Sequence, residues 1–382
     1  MLHRLAWSQL IREKRRLLTA LAGVAFAVLL QMMQFGFRDA LFASATIVHS
    51  RLRADLLLVS PQFEYILAPS VIPRRRLYQA LALPEVDSVV PVDFAVAPFK
   101  NPETGQERRI FVIGFDPDQI VLDVPSVVAN AKRLKVPDVA IYDALSRPNN
   151  FGPIIEDVAK LGSITTEVAG KRTTIGGLVE LGPSFSATGH LIVSDTTFRR
   201  MFSRPEGIFE VGLIRLRPGA DVAAVQRELI QRLPGDVLVL TRQQFVDLEL
   251  AFWTKNAPIG FIFNLGAMIG LLVGAVIIYQ ILYTDITDHL PQYATLKAMG
   301  YRDRHLNLVV FEQALMLTVC GFPVGYLLSE LLYYVARSAT HLPVVATVER
   351  SVMIFLLTVG MAAASCLLAM RKLRRADPAD CF

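Results

Sequence analysis

PIGFIFNLGAMIGLLVGAVIIYQILY, residues 258–283, runs for 26 residues without a charged side chain. As a helix it would reach about 39 Å at about 1.5 Å per residue, more than the roughly 30 Å hydrocarbon core of a bilayer. A core helix of a water-soluble protein is seldom so long or so uniformly apolar. The stretch therefore reads as a membrane span, and the rest of the chain is organised around it.

Three further segments have the same character: LLTALAGVAFAVLLQMMQFGF (17–37), LNLVVFEQALMLTVCGFPVGYLLS (306–329) and SVMIFLLTVGMAAASCLLAM (351–370). The bulk composition agrees, with 53% hydrophobic and only 19% charged residues and a mean hydropathy of +0.43. Lys and Arg are retained on the cytoplasmic side of short flanks. REKRR (12–16) precedes the first span and RKLRR (371–375) follows the last, so both termini read as cytoplasmic. An even number of crossings is consistent with that.

Residues 41–255 then lie outside the cytoplasm, in a segment too long for a connecting loop and long enough for its own core. It holds 24 Lys and Arg against 24 Asp and Glu, so the net +5 of the chain comes from the membrane part and its flanks. The basic balance reports topology and contact with membrane lipid, and gives no reason to expect nucleic acid. ASA (43–45) could serve as a signal-peptide cleavage site, but the 21-residue apolar run before it exceeds the usual signal core of about 7–15 residues. An uncleaved span is expected.

The external segment reads as mixed α/β. VDFAVAPFKNPETGQERRIFVIGFD (92–116) and SITTEVAGKRTTIGGLVEL (163–181) each give two strand-like runs about a turn. FEVGLIRLRPGADVAAVQRELIQRLPGDVLVLT (209–241) reads strand, helix, strand, with Val222, Val225 and Leu229 as the apolar stripe and Asp221 at the helix start. The three cysteines, Cys320, Cys366 and Cys381, all lie outside this segment, which must hold together without a disulfide.

Chemistry is hard to find in it. His49 and His190 are its only histidines and neither sits in metal-ligand spacing. GPSFS (182–186) lacks the last glycine of a nucleophile elbow. The five-residue spacing of His190 and Asp195 says nothing about an acid–base pair. GKRT (170–173) has Arg172 where a phosphate-binding loop needs a hydroxyl, and Thr165 where it needs glycine, so it reads as a hairpin turn. No catalytic, metal or cofactor site is expected.

Between the second and third spans lies TDHLPQYATLKAMGY (287–301), a polar stretch on the cytoplasmic side. Asp288 can cap a short helix, Pro291 is tolerated in its first turn, Gly300 can end it, and Lys297 suits the carboxyl end of the dipole. Leu290, Tyr293, Leu296 and Met299 recur at threes as an apolar edge. A helix this short gains order from a partner groove; resting on lipid headgroups is the alternative.

TDITDHLPQYATLKAMGY (284–301), LAWSQLIREKRRLLTALAGVAFAVLL (5–30), FEQALMLTVCGFPVGYLL (311–328) and RKLRRADPADCF (371–382) together resemble the DevC-type permeases of ATP-binding cassette exporters, within the MacB and FtsX permease superfamily. The likeness runs over the whole chain, and YATLKAMGY is its most specific part. It implies a bacterial inner-membrane permease that forms a homodimer, binds a separate cytoplasmic ATPase and works with a periplasmic adaptor (membrane fusion) protein and a TolC-like outer-membrane channel. In the family the loop after the second span carries the coupling helix, which falls on Asp288 to Met299. MacB itself has its ATPase fused at the N-terminus; this chain opens at the pre-span helix, so its ATPase is expected on another polypeptide.

The expected fold class is an α-helical membrane protein with four transmembrane helices and a large mixed α/β periplasmic domain between the first and second. The expected boundaries are an N-terminal cytoplasmic or interfacial helix 1–16, spans at 17–40, 256–283, 306–336 and 351–370, a periplasmic MacB-like domain 41–255, a coupling loop 284–305, a short periplasmic loop 337–350 and a cytoplasmic tail 371–382. Leu5, Trp7 and Ile11 would face lipid or a partner. QQFVDLELAFWTKN (243–256) could prolong the second span outward as one rod. In the third span Glu312 is a costly intramembrane carboxylate, expected to make a structural or signalling hydrogen bond, with substrate or proton handling and snorkelling as alternatives. Gly321, Pro323 and Gly325 would break and pack the same span. Four helices with so few ionisable groups leave little material for a wide polar tunnel. A regulator of the FtsX kind, driving an external cell-wall hydrolase without transport, is the alternative function, and a membrane-anchored enzyme is a third class.

Overall fold

The computed structural model describes residues 14–68, 70–146, 151–182, 184, 187–256, 258–289, 291–292, 295, 299, 303–340 and 342–375. The elements in chain order begin with α1 (Lys14–Ala45), α2 (Ile47–Arg51), β1 (Leu56–Val59), β2 (Ile72–Pro73), α3 (Arg75–Leu81), β3 (Val86–Lys100) and β4 (Glu107–Phe115). Then follow α4 (Pro125–Asn130), a 3-10 turn (Ala131–Lys135), β5 (Val139–Asp143), α5 (Ile154–Leu161), β6 (Ile164–Val168), β7 (Lys171–Val179), β8 (His190–Ser194) and α6 (Asp195–Phe202). The last are β9 (Ile208–Phe209), β10 (Val211–Leu216), α7 (Val222–Arg232), β11 (Leu238–Thr241), α8 (Arg242–Ala251), a π turn (Phe252–Asn256), α9 (Pro258–Asp288), α10 (Asp303–Thr340) and α11 (Val348–Arg375). They form two compact units, one of long helices and one α/β unit over Leu41–Pro258 with Thr340–Pro343.

The helical unit holds α1, α9, α10 and α11, all long and apolar enough to cross a membrane. Small residues set its packing, because they let helices approach where no water drives association. A side chain at Gly325 would meet the Ala25 carbonyl at 2.6 Å and Val28 at 2.8 Å, and one at Gly321 would meet Val24 at 2.7 Å. At these two glycines α10 lies close against α1. Pro323 lies within α10, which nonetheless continues from Asp303 to Thr340; the expected break is absorbed as a single interrupted bond. Ser365 of α11 donates to the Ala275 carbonyl of α9 at 2.8 Å. Of the four, α9 is the least enclosed, with 17% of its most apolar stretch buried against 39–44% for the others.

The α/β unit is built on a nine-stranded sheet in the order β11-β1-β10-β3-β4-β8-β5-β7-β6. β3 is 15 residues long because it serves two neighbourhoods. Its first half pairs antiparallel with β10 through Val92, its second half with β4 through Lys100, and Phe99 and Lys100 also meet β6. That last pairing closes β3, β4, β8, β5, β7 and β6 into a ring. Alternation along the strands sends Phe94, Phe111 and Ile113 into one core and Phe99, Ile110 and Val112 into a second.

The hairpins read from the sequence are present, β3–β4 and β6–β7, the latter turning at Ala169 and Gly170, both with positive φ. Asp221 caps α7, accepting from Ala223 and Ala224. Of its expected stripe Val225 and Leu229 are buried while Val222, at the first position of the helix, is 36% exposed. The expected rod 243–256 is not one α-helix: α8 stops at Ala251 and a π turn follows.

Candidate functional site

The segment after α9 is described at a few positions. Asp288 is the last residue of α9, and His289 follows as a turn whose N–H donates to the Asp285 carbonyl at 3.1 Å. Beyond it the Gln292 N–H reaches the His289 carbonyl and the Met299 N–H the Thr295 carbonyl, both at 3.0 Å, and the Thr295 hydroxyl donates to Pro291 at 2.9 Å. These are helical spacings, and Met299 is 64% exposed. Leu290, Tyr293, Leu296, Lys297 and Gly300 lie outside the described residues, as do Leu5, Trp7 and Ile11.

In the helical unit Glu312 is half-buried beside buried Gln313. A stronger polar cluster sits where the sequence suggests only a loop. Arg350 is buried in the first turn of α11. It donates to Asp39 of α1 at 3.1 Å and to the Val345 carbonyl, and lies 5.7 Å from the centre of the Tyr333 ring of α10. The Tyr333 hydroxyl in turn donates to the Met32 carbonyl of α1, in space left open by Gly36. Three helices are thus tied through one guanidinium and one phenol. Arg350 carried no signal in the sequence, since a basic residue ahead of a span reads as a flank.

The α/β unit hides three polar clusters, each joining residues far apart in the chain. Asp143, at the end of β5, accepts from Leu145 at 3.1 Å, Leu181 at 3.0 Å and Gly182 at 3.1 Å, and lies 3.2 Å from His190 Nδ1. Both side chains are wholly buried. The pair fastens the segment after β7 and is closed to any substrate; Asp195 instead holds Arg199 at 2.6 Å.

Glu249 of α8, also wholly buried, accepts from Ile66 at 2.9 Å and from the Trp253 indole at 2.8 Å. His49 Nε2 approaches it to 3.1 Å without the alignment of a hydrogen bond.

The third cluster lies where β10 parts from β3. Glu210 accepts from Phe94 at 2.7 Å and from Arg204, and Asp93 is a second buried carboxylate next to Phe94 in the chain. Burial pushes Asp93 up to about 6 and Glu210 up to about 7, with Arg204 opposing both shifts.

Among the described residues, open spaces of two kinds stand out. A groove of about 600 Å³ between α9 and α11, lined by Leu271, Met353, Leu356 and Met361 with Glu349 as its charged member, is apolar and opens sideways. A polar hollow of about 550 Å³ lies among the hairpin turns of the α/β unit, between Lys100, Asn101, Thr165, Glu167 and Arg172. Among the described residues no group of three or more His, Cys, Asp or Glu is placed to hold a metal.

Two family models match the chain: the MacB-like periplasmic core domain over residues 17–232 and the FtsX-like permease C-terminal family over residues 264–378. Similar solved structures include the periplasmic region of MacB from Actinobacillus actinomycetemcomitans, 8% identical, covering 49% of this chain and 88% of that one at a TM-score of 0.33. The extracellular domain of the noncanonic ABC-type transporter YknZ from Gram-positive bacteria is 11% identical, covering 49% and 99% at 0.33. A domain of a putative permease protein from Porphyromonas gingivalis is 12% identical, covering 50% and 89% at 0.29. No curated protein matches the chain.

Proposed function

Because the chain belongs to the MacB/FtsX-like permease superfamily, we propose that it is the non-catalytic permease subunit of an ATP-binding cassette exporter. A separate ATPase docks on the segment Asp288–Met299, and its ATP-driven motion passes through the spans to the periplasmic domain, which works with an adaptor protein and an outer-membrane channel. Both termini are cytoplasmic in this reading, and the working unit is a homodimer. The observation that supports it is the short helical segment after α9, with its hydrogen bonds at helical spacing and Met299 exposed.

The chemistry is that of a transmitter. The buried carboxylates Asp143 and Glu249 of the α/β unit hold its own backbone, and the groove between α9 and α11 is open and apolar. Work is then done on a substrate outside the cytoplasm.

The test is co-purification of the ATPase with the permease carrying Tyr293→Asp and Leu296→Asp at equal membrane expression. A carboxylate pressed into a partner groove costs several kcal/mol in desolvation, enough to abolish a micromolar complex of about 8 kcal/mol when two are introduced. Loss of the ATPase is expected; equal recovery would refute docking at this segment. Recovery of a peptidoglycan hydrolase in place of an adaptor and channel would favour the regulator of the FtsX kind.

A further inference from the structure

The π turn at Phe252–Asn256 stands between α8 and the start of α9, and none of its residues is buried. A π turn holds an extra residue, so relaxation to α geometry changes helical phase by one residue, about 100° and about 1.5 Å. The Thr254 hydroxyl ties the turn back to the Leu250 carbonyl at 2.8 Å, and further side-chain contacts come from outside it.

Two grips are visible. The Trp253 indole donates to the buried carboxylate of Glu249 at 2.8 Å, one helical turn back. Tyr65 stacks on Phe252 with ring centres 4.0 Å apart and planes 10° from parallel, and meets Trp253 edge-on at 5.8 Å. The same carboxylate takes the Ile66 N–H next to Tyr65, so both grips converge on one short segment of chain. His49 of α2 approaches the same carboxylate oxygen at 3.1 Å and lies 4.6 Å from the Phe245 ring.

A carboxylate sealed at zero exposure is poor value for stability compared with an apolar side chain of the same size; what such groups supply is selection of one conformation. Here the conformation selected is the π register. We propose that Glu249 and Tyr65 are positioning residues of a clamp that holds Phe252–Asn256 in one of two helical registers, and that the turn is a built-in phase switch in the chain leading to α9. The switch is a property of the permease alone and does not require the ATPase reading to hold.

Trp7 and Trp253 are the only tryptophans, which makes the turn directly observable. The full-length protein in detergent, grown with 5-fluorotryptophan, gives two fluorine resonances, and Trp7→Phe assigns that of Trp253. Glu249→Met removes the acceptor at similar volume; Tyr65→Ala removes the stack; Tyr65→Phe keeps it. Loss of the buried carboxylate as acceptor should raise the ratio of released to held turn about tenfold, and loss of the aromatic stack about two- to tenfold. Glu249→Met and Tyr65→Ala should therefore each populate a second Trp253 resonance, at the same chemical shift in both, while Tyr65→Phe keeps the wild-type line. Two chemically different substitutions converging on one new signal is the mark of two registers, which a local packing defect would not produce. Different shifts in the two variants, or an unchanged single line in both, would overturn the proposal. Because ATPase binding enters neither arm, failure of the docking experiment leaves this one decisive.

Discussion

Asp143→Ala should open the segment between β7 and β8. The carboxylate is wholly buried and takes three backbone N–H groups, those of Leu145, Leu181 and Gly182, at 3.0–3.1 Å, with His190 Nδ1 at 3.2 Å. Alanine leaves those donors buried without an acceptor, at about 1–3 kcal/mol for each. Three orphaned N–H groups alone then come to about 3–9 kcal/mol, against a total stability of about 5–15 kcal/mol for an ordinary domain. Relief from burying the charge offsets part of this, so about 4 kcal/mol is a reasonable expectation, or roughly a thousandfold at about 1.4 kcal/mol per factor of ten. The assay is hydrogen–deuterium exchange of the full-length protein, followed on peptides that cover residues 179–192. Exchange there should accelerate by about two to three orders of magnitude, with peptides of α10 and α11 unchanged. Asp143→Asn, which retains one acceptor oxygen, should fall between. If the 179–192 peptides of the alanine variant stay within tenfold of wild type, the carboxylate is not the anchor described here.

Other consequences follow from the remaining clusters. Asp93 and Glu210 are held above their ordinary values by burial, so the folded unit binds protons that the unfolded chain has released. Their contribution to stability is therefore greatest below about pH 4 and declines as pH rises through 6 to 7; for Asp93 the whole effect is on the order of 2–3 kcal/mol. The urea midpoint of a fragment spanning residues 41–258 should fall between pH 4.5 and 7.5, and Asp93→Asn should flatten that slope. An equal slope in the variant would show that Asp93 is not responsible. Gly325→Val should cost about 1–3 kcal/mol by overpacking, because its first carbon already meets the Ala25 carbonyl at 2.6 Å; thermal unfolding in detergent reads this, and a wild-type midpoint would refute the close α1–α10 contact. Arg350→Leu removes the tie to Asp39 and the Val345 carbonyl and should lower the same midpoint by an amount equivalent to about 1–3 kcal/mol, with Asp39→Asn giving a smaller loss because Asp39 is partly exposed.

Residues 258–283 carry their meaning locally. Twenty-six uncharged residues exclude most alternatives to a span, because the free energy of apolar transfer accumulates with length whatever the rest of the chain does. The same locality makes the hairpins at 92–116 and 163–181 readable, since turn chemistry and strand alternation lie within a few residues of each other. The expectation of a short amphipathic helix over 287–301 rests on the same local periodicity, whereas what its edge would meet is not written in the segment itself.

The buried polar clusters are of another kind. His49 finds Glu249, Asp143 finds His190 and Asp39 finds Arg350 only after strands and helices distant in the chain have been brought together. No spacing rule links such pairs; a lone histidine or a flanking arginine looks the same in sequence whether it ends exposed or sealed. The π turn belongs with them: QQFVDLELAFWTKN carries uninterrupted helical character, and the departure at Phe252 is set by Tyr65, almost two hundred residues earlier. Spans, turns and the polarity of the exposed stretches follow from interactions over a few residues. Which buried charge meets which partner, and where a helix leaves its regular register, is decided by desolvation and hydrogen bonding in the assembled tertiary structure.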